Sequence, residues 1–128
     1  MVVDPSVLLA VLLHEEGHEQ IELRLESAWN IYLSSASYVE LFVVVFRRLP
    51  PEAVGKVEAL LHQQDIQIVP FDEAQASIAR EAYRRFGKGR HPAALNFGDC
   101  FSYALAKHLN EPLLFKGEDF RQTDVLVA

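Results

Sequence analysis

The chain is poor in several things, and each shortage closes a class of answers. It has one cysteine, Cys100, in 128 residues, so neither an internal disulfide framework nor a multi-cysteine zinc site is open to it. It has no long hydrophobic run. The longest, residues 7–13, is seven residues, against the roughly 20 that a membrane-spanning helix needs. A secretory leader would place basic residues ahead of that run, but the only charge there is Asp4 and the first arginine is Arg24. Positive charge is also scarce. Twelve Lys and Arg stand against 18 Asp and Glu, for a net charge of −6, which excludes coating nucleic acid by bulk charge and leaves only a local basic patch. Repeats and low-complexity stretches are absent. The expectation is a reduced, cytoplasmic protein without membrane contact, folded as a single domain over residues 1–128.

What is present alternates between two periodicities. Val2 and Val3 form a short apolar run ended by Asp4-Pro5. Residues 5–14 read as a helix with proline at its first position and Asp4 as its cap. Residues 18–28, set apart by Gly17, carry Ile21, Leu25 and Ala28 at helical spacing. Residues 30–33 read as a strand, and 35–49 as a helix that is apolar on most faces and so expected to be buried. After Pro50-Pro51, residues 52–64 carry Val54, Val57, Leu60 and Leu61 at helical spacing. Residues 66–69 read as a strand closed by Pro70. Asp72 then caps a helix whose inner side is Ile78, Ala82 and Phe86 and which ends at Gly87. Residues 96–109 read as a helix, 112–115 as a strand, 116–122 as a turn and 125–127 as a last short strand. Strands separated by helices need crossovers, so the expected fold is α/β, a three-layer α/β/α sandwich around a mostly parallel sheet. Such sheets bind ligands beyond the carboxyl ends of their strands, at a topological switch point.

Four acidic residues stand where acid is costly or strategically placed. Asp4 follows two valines at the end of the first strand, although it also suits a helix cap. Glu40 sits between Tyr38-Val39 and a six-residue apolar run to Phe46. A lone buried carboxylate there costs several kcal/mol or takes up a proton. Asp99 lies near a helix start with Asn96 three residues before it, a spacing that also suits a capping box. Asp119 follows the strand at 112–115, with Glu118 and Asp124 as competitors for its role. If the four converge, hard divalent cations with oxygen ligands would neutralise their repulsion, meaning Mg²⁺ or Mn²⁺. One or two such ions activate water and stabilise the leaving oxygen of a phosphodiester.

The chain resembles the PIN domain, and within it the VapC type of toxin ribonuclease, over essentially its whole length. The marks are Met1-Val2-Val3-Asp4-Pro5-Ser6, then Ser37-Tyr38-Val39-Glu40. A long stretch follows from Lys88-Gly89-Arg90-His91-Pro92 through Asn96-Phe97-Gly98-Asp99-Cys100 to Ala106, and last comes Leu114-Phe115-Lys116-Gly117-Glu118-Asp119-Phe120 with Thr123-Asp124. The resemblance implies metal binding and catalysis by Asp4, Glu40, Asp99 and Asp119, with Ser6 and Asn96 as polar supports. It implies a Mg²⁺- or Mn²⁺-dependent endoribonuclease, an RNA substrate, a cognate antitoxin that silences a toxin, and a homodimer. The chain departs from the pattern at Pro5, where such proteins often carry Thr or Ser; proline removes a backbone donor there.

Arg80, Arg84, Arg85, Lys88 and Arg90 crowd into eleven positions. They suit a phosphate track toward Asp99, with Arg84, Arg85, Lys88 and Arg90 contacting RNA, and they also suit a helix C-terminus. A non-catalytic PIN-like binding module is the competing reading. A zinc protease is a further one, because His14-Glu15-Glu16-Gly17-His18 satisfies the H-E-x-x-H pattern. Gly17 interrupts the continuous helix that such a zinc site requires, and no third ligand follows.

Overall fold

Two valines and the Asp-Pro after them set the centre of the molecule. Side chains alternate across a strand, and Val2 and Val3, both fully buried, enter two different hydrophobic clusters on opposite faces of one sheet. The computed structural model describes residues 1–128. Its sheet has four parallel strands, β1 (Val2–Val3), β2 (Ile31–Ser34), β3 (Ile66–Val69) and β4 (Leu113–Leu114), in the order β3-β2-β1-β4. The strands are short and their central members are buried on both sides, which is what a sheet covered by helices on both faces demands.

One cluster joins Val3, Ile31, Leu33, Ile66 and Leu114 to α1 (Pro5–Leu12), α2 (His18–Glu26), α3 (Ser35–Arg48) and α4 (Ala53–Gln63). The other joins Val2 and Leu113 to α5 (Glu73–Phe86) and α6 (Phe97–Leu109). This is the expected α/β/α sandwich. The order of strands reverses between β1 and β4, so Asp4, immediately after β1, stands at the switch point.

The caps anticipated from sequence form. The Asp4 side chain accepts the Ser6 amide hydrogen with Pro5 in the first turn of α1, Asp72 accepts from Gln75 at α5, and Asn96 and Asp99 make a reciprocal capping box on α6. Other boundaries shift. α1 stops at Leu12 rather than residue 14, because His14 takes a positive φ of 49°. Gly87 ends α5 with an extended backbone, not a left-handed one. The turn expected at 116–122 contains a 3₁₀ turn, Asp119–Gln122.

Two expectations need correction. Residues 125–127 do not form a strand; only Val127 bridges to Leu113, because Val125 is drawn into the core beside Phe120 instead. Nor is α3 buried all round: Leu41, Phe42 and Val45 face the core, but Val39, Val43 and Phe46 are exposed. Apolar periodicity shows that a face could be covered without showing that anything covers it.

Candidate active site

The carboxyl ends of β1, β2 and β4 and the first turns of α3 and α6 meet at one edge of the sheet. Asp4 leaves β1 there, almost fully buried at 5% exposure. A buried carboxylate has to be hydrogen-bonded, and both of its oxygens are. Oδ2 accepts from the Ser6 amide at 3.0 Å and Oδ1 from the Ser102 hydroxyl at 2.6 Å. Ser102 Oγ lies 3.4 Å from Ser37 Oγ, and all three groups are buried. Since the Ser102 proton goes to Asp4, the Ser37 hydroxyl donates to Ser102. The serine pair thus ties α6 and α3 to the end of β1. Ser6 Oγ in turn accepts the Lys116 amide at 3.1 Å, which fastens the segment leaving β4 to the start of α1.

Glu40 lies one turn beyond Ser37 on α3, half-buried, and its carboxylate rests on the first turn of α6. Gly98 makes the approach possible: a Cβ there would fall 1.5 Å from Glu40 Oε2. The next residue is Asp99, also half-buried. Its Oδ2 accepts the Asn96 amide at 3.0 Å and Asn96 Oδ1 accepts the Asp99 amide at 2.8 Å, so the capping box fixes both the helix start and the acid. Asp119 opens the 3₁₀ turn after β4, on the surface, and Phe120 anchors that turn in the core against Phe115.

The four acids sense one another. Burial, with the charges of Asp4 and Asp99 added to it, pushes the Glu40 carboxyl up to about 7. Burial also lifts Asp99 to about 6; the Asn96 backbone hydrogen bond pulls down, while the charges of Asp4 and Asp119 push further up. None of the four enters an ion pair. No three acidic, histidine or cysteine side chains anywhere in the chain stand at the spacing of direct metal ligands. The four acids are gathered within electrostatic range, and their negative charge is left uncompensated. The donor set is all oxygen and anionic, which fits a hard divalent cation and suits a soft one poorly.

The other acids near this edge are already engaged. Glu118 pairs with Arg121 at 3.3 Å. Asp124 accepts from the Tyr103 hydroxyl at 2.6 Å and Lys107 Nζ at 3.3 Å and lies 3.6 Å from Arg85, an environment that lowers its pKa, with the Tyr103 bond the largest cause. Of the three competitors, Asp119 alone contributes to the charge felt by Asp99.

The basic residues divide. Arg84 is paired with Glu81 one turn back on α5, and Arg85 is shared between Asp124 and the ring face of Phe86. Lys88 and Arg90, in the turn after α5, are exposed and unpaired, as is Arg80. His14 and His18 pack edge to face at 4.9 Å, but His18 begins α2 after a break at Gly17, so the two do not share a continuous helix. Ser37, Ser102 and Gly98 lie within the stretches that carry the family resemblance, but sequence reasoning gave them no role. A serine within a helix is common, and the need for a glycine shows only when the opposing side chain is placed.

Comparison with known proteins gives a consistent result. The family model described as PIN domain matches residues 1–126. The chain is 47% identical to a Ribonuclease VapC of Mycolicibacterium smegmatis over 125 residues, covering 98% of this chain and 97% of the relative. It is 45% identical to Ribonuclease VapC30 of Mycobacterium tuberculosis over 125 residues, covering 98% and 95%. Among solved structures it superimposes on the sarcin-ricin loop cleaving toxin VapC20 of M. tuberculosis with a TM-score of 0.79 at 16% identity, covering 99% and 97% of the two chains. A toxin–antitoxin complex from Klebsiella pneumoniae matches with a TM-score of 0.72 at 14% identity, covering 99% and 95%.

Proposed function

The chain belongs to the PIN-domain family and to its VapC ribonuclease branch, and from that premise we propose that it is a divalent-cation-dependent endoribonuclease of the cytoplasm. Asp4, Glu40, Asp99 and Asp119 would hold Mg²⁺ or Mn²⁺. The observation that carries this reading is the uncompensated charge at the sheet edge. Four acids from four separate segments influence one another there, and no lysine or arginine neutralises them.

When bound, such ions lower the pKa of water and stabilise the leaving oxygen of a phosphodiester. The chain's own residues do the positioning. Ser6 and Ser102 fix both oxygens of Asp4. Asn96 orients Asp99 through the capping box, and Gly98 leaves room for Glu40. The missing amide hydrogen at Pro5 costs nothing here, because the Ser6 amide serves Asp4 instead. Lys88 and Arg90 are free for the RNA backbone. Arg84 and Arg85 join them by exchanging partners, since exposed ion pairs are worth only about 0–1 kcal/mol.

The VapC relatives and the toxin–antitoxin fold neighbour support a further reading of this chain as the toxin of such a pair, silenced by a cognate antitoxin. The exposed apolar face of α3, with Val39, Val43 and Phe46, supports a homodimer. The experiment is RNA cleavage with Mg²⁺ or Mn²⁺ and with chelator, for the native chain and for Glu40→Gln and Asp99→Asn. Cleavage that needs the cation and is lost in both variants is expected. Cation-independent cleavage, or cleavage surviving both substitutions, would refute the assignment. A chain that binds RNA without turnover would be the binding module instead.

A further inference from the structure

Next to the acid edge lies an apolar hollow of about 440 Å³ that the chemistry described above does not use. Its walls are aromatic: Phe71 from the segment after β3, Tyr83 from α5, and Phe97 and Phe101 from α6. Phe101 is wedged edge to face between Phe71 at 4.9 Å and Phe97 at 4.8 Å, so the wall is a fixed assembly of rings. Small residues keep the space open. Ala76 and Ala79 stand on the facing side of α5, where longer side chains would fill it.

Three observations give the hollow an occupant. First, it is built on the starts of the same two helices, α3 and α6, that carry Glu40 and Asp99. Phe97 is two residues before Asp99, and Ala36, which also lines the hollow, immediately precedes Ser37 of the serine pair. The Phe71 amide donates to Ser35 Oγ at 2.9 Å, binding the far wall to the start of α3. Second, Phe97 is 78% exposed at the mouth, a large apolar side chain that the fold itself leaves without cover. Third, the one charged side chain in its lining is a cation. Arg80 lines the hollow without an ion pair, and Lys88 and Arg90 follow on the same segment of chain. Aromatic faces joined by guanidinium groups beside a basic track are how single-stranded nucleic acids are held, because every base offers a π-face while the backbone remains in reach of cations.

We infer that this hollow receives one unpaired base of the RNA, beside the bond cleaved at the acid edge. The inference rests on the ribonuclease reading and extends it to a base-binding subsite. A base held in a duplex would have to leave its stack before it could enter. Phe97 and Tyr83 hold the base by stacking, and Arg80 holds the adjoining phosphate.

The test uses the full chain and unstructured RNA octamers in which 2-aminopurine replaces each position in turn. Binding is followed in the Asp99→Asn background with Mg²⁺ present. In otherwise native chains, cleavage of randomised single-stranded RNA is timed alongside. Insertion predicts a fluorescence change confined to one or two positions. Phe97→Ala and Ala76→Leu should abolish that change, weaken binding and raise KM by about tenfold to a hundredfold, with kcat little altered, whereas Phe97→Trp should retain both. Phe97 and Ala76 are exposed, so neither substitution threatens the core. A native chain that cleaves RNA while Phe97→Ala and Ala76→Leu keep KM and the fluorescence pattern would overturn the subsite alone. A native chain that cleaves no RNA would overturn the ribonuclease reading itself. If Phe97→Ala instead turns a dimer into monomers at unchanged KM, the hollow is a contact between copies and the base-binding inference fails.

Discussion

Asp124 and Glu40 are both carboxylates on the same small fold, and they are treated in opposite ways. Asp124 is given a phenol, an ammonium and a guanidinium, and its proton is held more weakly than usual. Glu40 is given apolar surroundings and two further negative charges, and its proton is held far more tightly, up to about 7. The chain has the basic residues to neutralise an acid and places them where the last segment must be pinned to α6. At the sheet edge it withholds them. Uncompensated charge is a standing cost to stability, and sites of function are where such costs concentrate.

Exchanging roles is the strongest way to break this comparison. Asp99→Asn should lower divalent-dependent RNA cleavage by about a thousandfold or more, while Asp124→Asn should leave kcat within about twofold and cost roughly 1 kcal/mol of unfolding free energy. Both follow from cleavage assays paired with urea denaturation. If Asp124→Asn proved the more damaging to turnover, the division between the two regions would be wrong.

A smaller and sharper effect is expected at Gly98. Alanine there puts a methyl group where Glu40 Oε2 now lies. The carboxylate ends a flexible side chain, so it will swing aside and the helix will gain up to about 1 kcal/mol from replacing glycine. Gly98→Ala should therefore melt no lower than the native chain yet cleave about ten- to a hundredfold more slowly, a loss that displacement of one positioned group can produce. A variant that melts lower and cleaves normally would show that Glu40 does not depend on this opening.

The acid edge also sets the response to pH. Glu40 and Asp99 have folded-state values of about 7 and 6, above the 4.5 and 3.8 of the free side chains. Between these limits the folded state binds more protons than the unfolded one, so stability falls as pH rises through this window. The cation-free protein should melt a few degrees higher at pH 5 than at pH 8. Asp124, with its lowered value, contributes in the other sense, and its share is lost only as pH drops below the ordinary aspartate range. Mg²⁺ or Mn²⁺ at pH 8 should recover most of the difference, and Glu40→Gln should flatten it. Calorimetry across pH with and without cation measures all three, and a melting temperature that rises from pH 5 to pH 8 would contradict the electrostatics of the edge.

The sequence already carried the backbone of this comparison, for physical reasons. Asp4 before Pro5 and Asn96 before Asp99 are local signals whose hydrogen bonds close within three residues, and both caps form. The alternation of strands with longer helical segments was enough for the layered parallel fold. What local pattern cannot carry is a partner distant in the chain. Ser102 reaches Asp4 across 98 positions and Gly98 matters only through Glu40, so the role of neither could be read from its own stretch of chain. The segment at 125–127 has strand-like composition, yet Val125 buries its side chain and leaves one bridge at Val127. Arg84 and Arg85 looked like part of a free basic track; Glu81, one turn back, and Asp124, far along the chain, occupy them.

The two-residue first strand has a consequence for biosynthesis. β1 lies between β2 and β4, with the Asp4 amide bonded to Leu114 O and the Ser6 hydroxyl fastened to a segment 110 positions later. A ribosome makes β1 before β2, β3 and all six helices, so β1 must wait for every one of them before its second neighbour, β4, exists. Domains of this kind close late, when their most distant strand pairing becomes available. The edge that gathers the acids is therefore assembled only after β4 and the turn beyond it have been made, and a nascent chain that stops short of them cannot possess it.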